Sequence, residues 1–548
     1  MTTDNCTPNK NELVPGETRI RDVDGFCGTV VYVGPVASAK NSDEEYAGIV
    51  WDDPSRGKHD GSVICRRTNN IVRHFSCTGP TQGSFLRLNK IDYGVPLNAS
   101  LLRSKYVEMQ APVVAPNNLL PHTARTSGGN EKPIEFLGEM QIRERQQLAD
   151  MDKISLRREG ISRACEDKAG LLEFHHIRDI DLAGNLISNW NIALEIMDQF
   201  PMLERLSLAS NRIRNILPSS PRTTISILGR MRVLNLHSCS IDTFQTVKVI
   251  GKLMPNLEEL CVAYSNFSDM GSVELEPGSL CSLKMIDCSS CGISSWETQV
   301  ARQFSKLDKL EQLSLNDNPI PSIPSSPDEA SHDAYFPSLV ALQFAGTSIA
   351  RWNDLEGINH SLSTVKSLRL KHTPLTQNLG QGEVRALCVA RFPRLEYLNA
   401  STVSTQERIE AERRYVSLVT RLLAQQRETS ENPDKDSASK DQRTRLLSDH
   451  PQYTALREKH KDVIVLAESS STNQSGPRKS IASIVSNVTI RSMAAASCSV
   501  EPLVRRLPGS LKVGRLKALC SRAFGLDVDL MSLHFRTEVR TDEIVIGF

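Results

Sequence analysis

The residues with the clearest chemical potential lie between positions 51 and 90. The run Trp51-Asp52-Asp53-Pro54-Ser55-Arg56-Gly57-Lys58-His59-Asp60-Gly61 sets a lysine, a histidine and an aspartate between two glycines. Glycines at 57 and 61 are expected to take positive φ and to let the backbone approach an extended peptide closely. Lys58 supplies a cation, and the N–H groups of such a loop receive a carboxylate. Trp51, Phe75 and Phe85, the last reached through Gly83 and Ser84, are candidates for the apolar wall of the same groove. From Arg56 to Lys90 the basic residues are Arg56, Lys58, Arg66, Arg67, Arg73, Arg87 and Lys90, against the single acid Asp60, a local charge of +6. An acidic peptide would be steered there. The plainer alternative is that Trp51 and Phe75 fill a small core while the arginines form a solvated face.

Other chemical candidates are weaker. Cys288-Ser-Ser-Cys291 has the spacing of a redox pair or half a zinc site, yet no second cysteine pair follows it. Arg56-Gly-Lys58 falls short of a phosphate loop, which needs Gly at 52 and Ser or Thr at 59, where this chain has Asp and His. No strand-linked GxSxG, HExxH or defined carboxylate pair occurs. The expectation is a protein that is no enzyme, holds no metal and uses no cofactor.

The elements that must position the loop come next. The 548 residues suggest about three or four domains at roughly 150 residues each. With 65 Lys+Arg against 64 Asp+Glu the chain is near neutral, which argues against bulk binding of nucleic acid. No apolar run reaches the ~18 to 20 residues of a membrane span, and MTTDNCTPNKNEL lacks the core of a signal peptide. Thirteen scattered cysteines read as free thiols of a cytosolic protein. Runs such as GTVVYVG and YAGIVW, punctuated by glycine, predict short strands in a small all-β barrel around the loop. Residues 107–132, rich in Pro, Asn, Ser and Gly, read as a linker.

A repeat dominates the middle of the chain. The pattern apolar-x-x-apolar-x-apolar, followed three residues later by Asn, Cys, Ser or Thr, starts at Ile177, Leu203, Met231, Leu257, Leu283, Leu310, Leu339, Val365 and Leu395. That is leucine-rich-repeat spacing, predicting an α/β solenoid with parallel strands. Its register makes Cys288 a core residue and Cys291 a turn residue. Strand positions on the concave side include Asp179, Asp181, Arg205, His237, Glu259, Asp287, Gln312, Asn316, Arg369, Lys371 and Tyr397. Acids lie mainly in the first five repeats and bases near the eighth, a polarised face suited to a large folded partner.

The sequence STQERIEAERRYVSLVTRLLAQQRE predicts a helix that caps the last repeat. Residues 429–483 read as a flexible linker with one order-prone island, HPQYTALREKH. From about Ile484 the pattern gives strand, helix, strand, strand in a compact α+β module. The expected division is therefore 10–106, a β domain; 107–132, linker; 133–428, solenoid with cap helix; 429–483, linker; and 484–548, the α+β module.

WDDPSRGKHDGSV with Phe75 and Gly83-Ser84-Phe85 resembles the CAP-Gly domain over roughly residues 13–106, although the general family loop has Asn at the position of His59 and SVICRRTNNIVRHF is longer than usual. The domain order, GKHDG, EFLGEMQ, LEYLNASTVSTQERIEAERRY and LPGSLKVGRLKALCSRAFGL resemble the tubulin folding cofactor E family across nearly the whole chain. The resemblance implies that Trp51, Gly57, Lys58, His59, Asp60, Gly61, Phe75, Gly83, Ser84 and Phe85 hold the acidic, aromatic-ended C-terminal tail of α-tubulin. It implies a concave face binding the tubulin body, partnership with cofactors D and C and, as a further candidate, B, and assembly or dissociation of the α/β-tubulin heterodimer. It also implies a cytoplasmic, cytoskeleton-associated location, a linker that lets both surfaces act together, and a ubiquitin-like (β-grasp) C-terminal module. That module's short 533–546 segment and Gly547-Phe548 end favour docking over conjugation. The competing reading is a microtubule plus-end adaptor built from the same modules.

Overall fold

The computed structural model describes residues 13–40, 44–106, 123–125, 131–133, 151–166, 171–172, 174–213, 225–324, 336–377, 379–428, 443–461, 485–492, 500–508, 511–527, 531–538 and 541–547. The chain falls into two compact units, Met1–His460 and Lys461–Phe548. Most of the spans read as linkers, and the EFLGEMQ segment, lie outside the described residues. A short hairpin of β8 (Thr123–Arg125) and β9 (Glu131–Pro133) falls within or at the edge of the first.

The N-terminal part of the first unit is a four-stranded antiparallel sheet in the order β1 (Arg19–Arg21), β2 (Cys27–Pro35), β3 (Glu45–Trp51), β6 (Gly83–Arg87). A separate hairpin, β4 (Ser62–Ile64) with β5 (Ile71–Arg73), follows the glycine loop. One sheet face packs Ile20, Val30, Ala47, Ile49, Trp51 and Ile91 into a small core. A bulge between Val30 and Tyr32 breaks the period-two alternation of β2, so Val30 pairs with core-facing Ile49 while Tyr32 pairs with Gly48 on the other face. That single inserted residue supplies an aromatic ring to the groove.

The solenoid strands are β10 (Lys153–Ser155), β12 (Asp179–Asp181), β13 (Arg205–Ser207), β14 (Val233–Asn235), β15 (Glu259–Cys261), β16 (Met285–Asp287), β17 (Gln312–Ser314), β18 (Ala341–Gln343), β19 (Ser367–Arg369) and β20 (Tyr397–Leu398). They are parallel and in unbroken register, and β21 (Ser401–Thr402) turns back antiparallel to close the sheet. The nine repeats correspond to β12 to β20, and β10 adds one more strand ahead of them. That strand was hidden because Glu159 stands where its repeat would carry the turn amide.

Each strand buries its middle residue and turns its neighbours to the concave side, as Ile180 lies between Asp179 and Asp181. The turn positions form a buried polar ladder. Asn318 Nδ2 donates to the carbonyls of Cys288 (2.9 Å) and Leu315 (3.1 Å), while its Oδ1 accepts from Cys291 N and Ile293 N, both at 3.0 Å. Cys239 Sγ and Cys291 Sγ take the same place by donating to Leu208 O and Val262 O. The helix Thr405–Glu428 covers the last repeat. Residues 443–460, which contain the expected island, pack back on this end, where Arg391 is buried between the rings of Trp352 and Tyr415.

The division at 106 differs from the observed packing. β7 (Val95–Leu97) and α1 (Ala99–Tyr106) belong to the solenoid, because β7 pairs with β11 (Ile161–Ala164) and Leu97 and Leu102 are fully buried in the solenoid core. In the second unit the order is strand, strand, helix, strand, strand, one strand more than expected. β22 (Val485–Ser492) lies between β23 (Leu503–Pro508) and β25 (Thr541–Gly547), with β24 (Ser532–Glu538) outermost, and β22 runs parallel to β25. The helix Val513–Phe524 contributes Cys520 and Phe524 to a core with Val488, Ile490, Leu526 and Met531. The extra strand, LVRRLP, lies at the edge of the sheet and ends in proline, which an edge strand tolerates.

Candidate functional site: an aromatic groove and a polar concave face

The loop 57–61 is tied to β6 through its backbone. Lys58 N and His59 N both donate to Gly83 O (2.7 and 3.1 Å), and Gly83 N donates back to His59 O at 2.7 Å. Gly57 has φ −73°, so its role is not the positive φ expected from sequence. A Cβ there would lie 1.9 Å from Thr81 O, and the requirement is close approach. Gly61 does have positive φ, +94°, and its carbonyl accepts His74 N at 3.0 Å.

Around this loop five rings meet. His59 stacks on Phe85 with centroids 4.9 Å apart and planes inclined by 29°. Phe75 meets Phe85 edge-on at 5.3 Å, His74 meets Phe85 at 5.4 Å, and Tyr32 closes the set at 6.2 Å from Phe85 and 5.0 Å from His74. Phe75 forms the buried floor, where only glycine fits at 48 and 83: a Cβ at either would lie under 3 Å from its ring. Phe85 is half-buried, leaving ring surface for a ligand. Tyr32 and His74 were not singled out from sequence, and their signals are the β2 bulge and the long β4–β5 connection that returns His74 beside Phe75.

Two of the expected groove residues face elsewhere. Trp51 is fully buried in the barrel core, and Arg56 lies over its ring at 5.1 Å. Ser84 pairs with Ile49 and is buried on that same core face, since it alternates with Phe85 along β6. The structure therefore gathers Gly57, Lys58, His59, Asp60, Gly61, Phe75, Gly83 and Phe85, and separates Trp51 and Ser84 from them.

The local charge is also smaller than the count of +6. Arg56 is committed to Asp22 (2.6 Å) and Asp24, Arg73 to Asp60 (2.6 Å), and Arg87 to Glu44 (2.7 Å). Lys58, Arg66, Arg67 and Lys90 are exposed and make no ion pair with another described residue. Asp60 is chiefly structural: Ser62 N–H, and then Arg73, hold its carboxyl below the ordinary carboxylate range. His59 Nδ1 accepts Gly61 N–H at 3.0 Å and His74 Nε2 accepts Ala37 N–H at 3.2 Å, so both imidazoles are neutral acceptors. Burial lowers the pKa of each.

On the concave face, strand register places Asp179, Arg205, Glu259 and Gln312 in one row, and Asp181, Asp287 and Arg369 in the next. Asp179 is paired with Lys153 (3.1 Å) and Asp181 with Arg157 (3.4 Å), which removes much of the acidity expected at the first repeats. Glu259 and Asp287 remain half-buried at the centre. Arg205 and, toward the far end, Arg369, Lys371 and Tyr397 are exposed. His237 adds an edge-on contact to Tyr264, 4.9 Å between centroids, and Tyr264 is 56% exposed.

Cys288 and Cys291 are both buried, and burial raises their thiol pKa values, that of Cys291 to about 12. They are repeat core and ladder residues. Among the described residues no group of three or more His, Cys, Asp or Glu side chains is arranged to hold a metal, and no helix is long and apolar enough to cross a membrane.

The CAP-Gly domain family model matches residues 16–91. Tubulin-specific chaperone E of Danio rerio is 27% identical over 513 residues, spanning 92% of this chain and 89% of that protein. Tubulin-folding cofactor E of Arabidopsis thaliana is 28% identical over 508 residues, spanning 91% and 87%. Tubulin-specific chaperone E of Homo sapiens is 28% identical over 526 residues, spanning 94% and 91%. The resemblance drawn from the motifs thus extends over more than nine-tenths of the chain.

Proposed function

We propose that this chain, similar along nearly its whole length to tubulin folding cofactor E, is a non-enzymatic tubulin-folding chaperone that takes α-tubulin by its acidic C-terminal tail and by its body. The observation that carries the reading is the loop 57–61, hydrogen-bonded to Gly83 with Lys58 exposed on it and with His59 stacked on the half-buried ring of Phe85. A loop that offers an exposed cation together with a partly open aromatic surface suits a peptide that ends in a carboxylate and an aromatic side chain. The polar concave face, with Glu259 and Asp287 central and Arg369 and Lys371 distal, suits a charged folded surface. Cofactors D, C and B and the α/β-tubulin heterodimer are the partners this reading assigns, in the cytoplasm and at the cytoskeleton. The Lys461–Phe548 unit fits a ubiquitin-like docking module, supported by its four-stranded sheet with a parallel central pair.

The test is calorimetry of the full chain with an acidic, aromatic-ended tail peptide. Lys58→Ala removes an exposed cation whose pairing with the tail is worth about 0.5–1 kcal/mol, so affinity is expected to fall roughly two- to fivefold. Deleting the peptide's last aromatic is expected to weaken binding as well. Neutral results for both changes, or a protein that decorates polymer and ignores soluble α-tubulin, would overturn the reading.

A further inference from the structure

The barrel is not tethered loosely to the solenoid. β7 pairs in parallel with β11, and Val95 N donates to Gly160 O at 2.8 Å. Tyr106, at the end of α1, bonds through its hydroxyl to Ser155 O (2.9 Å) and Ser155 N (2.6 Å), and Lys105 pairs with Glu159. The connecting turn has no slack, since Gly94 lies so close to the first repeat that a Cβ would stand 2.1 Å from Gly160 O.

A second, independent tie comes from the barrel's own core strand. Asp52, which follows Trp51 and leads into the 57–61 loop, receives both guanidinium nitrogens of Arg19, Nη1 to Oδ1 at 2.7 Å and Nη2 to Oδ2. Its Oδ1 also lies 3.2 Å from Nε of Arg212, the residue after the ladder amide Asn211 of the second described repeat turn. Arg21, paired with Asp92, also donates Nη1 to Arg158 O at 3.3 Å. Arg19 holds the Asp52 carboxylate by two hydrogen bonds while Arg212 of the solenoid pairs with it as an ion pair, and Asp52 is only part-exposed, which limits screening.

We propose that the barrel is a rigid arm, fixed on the first repeats by the short Tyr93–Gly94 connection into β7 and by the Arg19–Asp52–Arg212 and Arg21–Arg158 contacts, so that the tail groove and the concave face grip one folded partner at the same time. Arg212 is a positioning residue in this scheme. It touches neither groove nor tail, and it acts by fixing the distance between two binding surfaces. The partner is a folded protein with an acidic, extended tail, and its identity rests on the function proposed above. A fixed arm removes the entropy a tether would lose when the second surface engages.

The experiment uses the full chain with fluorophores placed on non-native amino acids at exposed positions 71 and 340, read by single-molecule energy transfer. The wild type is expected to give one narrow distance distribution. Arg212→Ala combined with a six-residue Gly/Ser insertion between Tyr93 and Gly94 is expected to broaden it. The same variant is expected to bind free tail peptide within about twofold of wild type but soluble α-tubulin about tenfold more weakly. Arg212→Ala alone, which leaves the turn intact, is expected to show a smaller loss that Arg212→Lys restores. A broad distribution in the wild type, or unchanged affinity for soluble α-tubulin in the combined variant, would overturn the proposal. A narrow distribution in a protein that binds neither peptide nor α-tubulin supports the rigid arm and overturns the functional reading alone.

Discussion

Gly61→Ala separates the geometry of the loop from its composition. Gly61 sits at φ +94°, which costs an L-residue roughly 1–2 kcal/mol. Its new Cβ would stand 2.0 Å from Phe75 O and 2.7 Å from the Phe75 carbonyl carbon, both backbone atoms that no rotamer change relieves. The strands must part by more than an ångström, which endangers the His74 N–H···O=C Gly61 bond and the Gly61 N–H···Nδ1 His59 bond. At about 1 kcal/mol each these bring the total to roughly 3–4 kcal/mol, a large share of a small domain's ~5–15 kcal/mol. Because His59 stacks on Phe85, the same movement opens the groove, and tail-peptide affinity is expected to fall at least about tenfold by calorimetry. Gly25→Ala is the matched control. Its φ is +87° but its Cβ would meet nothing within 4 Å, so it carries the dihedral cost without the clash. Denaturant melts of the barrel and peptide titrations of both variants decide the matter. If Gly61→Ala behaves like Gly25→Ala in both assays, the packing argument for the loop is wrong.

Two further outcomes follow from buried polar groups. The pKa values of His59 and His74 lie below the unfolded value, so their contribution is fully present above about pH 6.5 and is lost as pH falls through the folded values. The barrel's melting temperature and tail affinity are both expected to drop between pH 7.5 and 5.5, and a flat profile would count against neutral, accepting imidazoles. At the far end, Arg391 donates to Asp449 O (2.7 Å) and reaches Glu356 (3.3 Å) and His450 Nδ1 (3.1 Å) while only 2% exposed. Arg391→Ala leaves Glu356 unpaired and is expected to cost about 3–5 kcal/mol, with residues 443–460 gaining hydrogen exchange before the repeats do.

The solenoid was legible because its constraint repeats: one buried strand residue and one turn hydrogen-bonding residue recur at every rung, so single exceptions do not mask the period. Its first strand was not legible, since Glu159 replaces the turn amide and only Ile154 and Leu156 mark the core. The loop 57–61 was equally visible as a string of residue types. Its walls were not, because they depend on which face of a strand a residue occupies. A bulge at Val31 moves Tyr32 to the groove, and strict alternation along β6 takes Ser84 to the core beside Ile49. The net charge of a segment likewise says nothing of partners 34 or 43 positions away, such as Asp22 for Arg56 and Glu44 for Arg87. β7 and α1 looked like the end of the barrel because nothing in VPL or ASLLRSKY names the core that Leu97 and Leu102 enter.

These corrections change what kind of grip is available. With Trp51 withdrawn into the core and Arg56, Arg73 and Arg87 already paired, the groove offers Phe85, its stacked histidine, Lys58 and three outlying cations. With Asp179 and Asp181 neutralised by Lys153 and Arg157, the concave face offers Glu259 and Asp287, and then Arg369, three strands from Asp287 and so about 14 Å away at 4.7–4.9 Å per strand. Solvent-accessible charge pairs contribute little individually. On the function proposed above, neither surface is built for tight capture alone, which suits a chaperone that releases its cargo. Two modest sites held at a fixed separation bind well together and poorly once either is lost. On the rigid-arm proposal, any event that hides the tail or reshapes the partner's body would then free the whole partner, and the coupling depends on the Tyr93–Gly94 connection and the Asp52–Arg212 contact together.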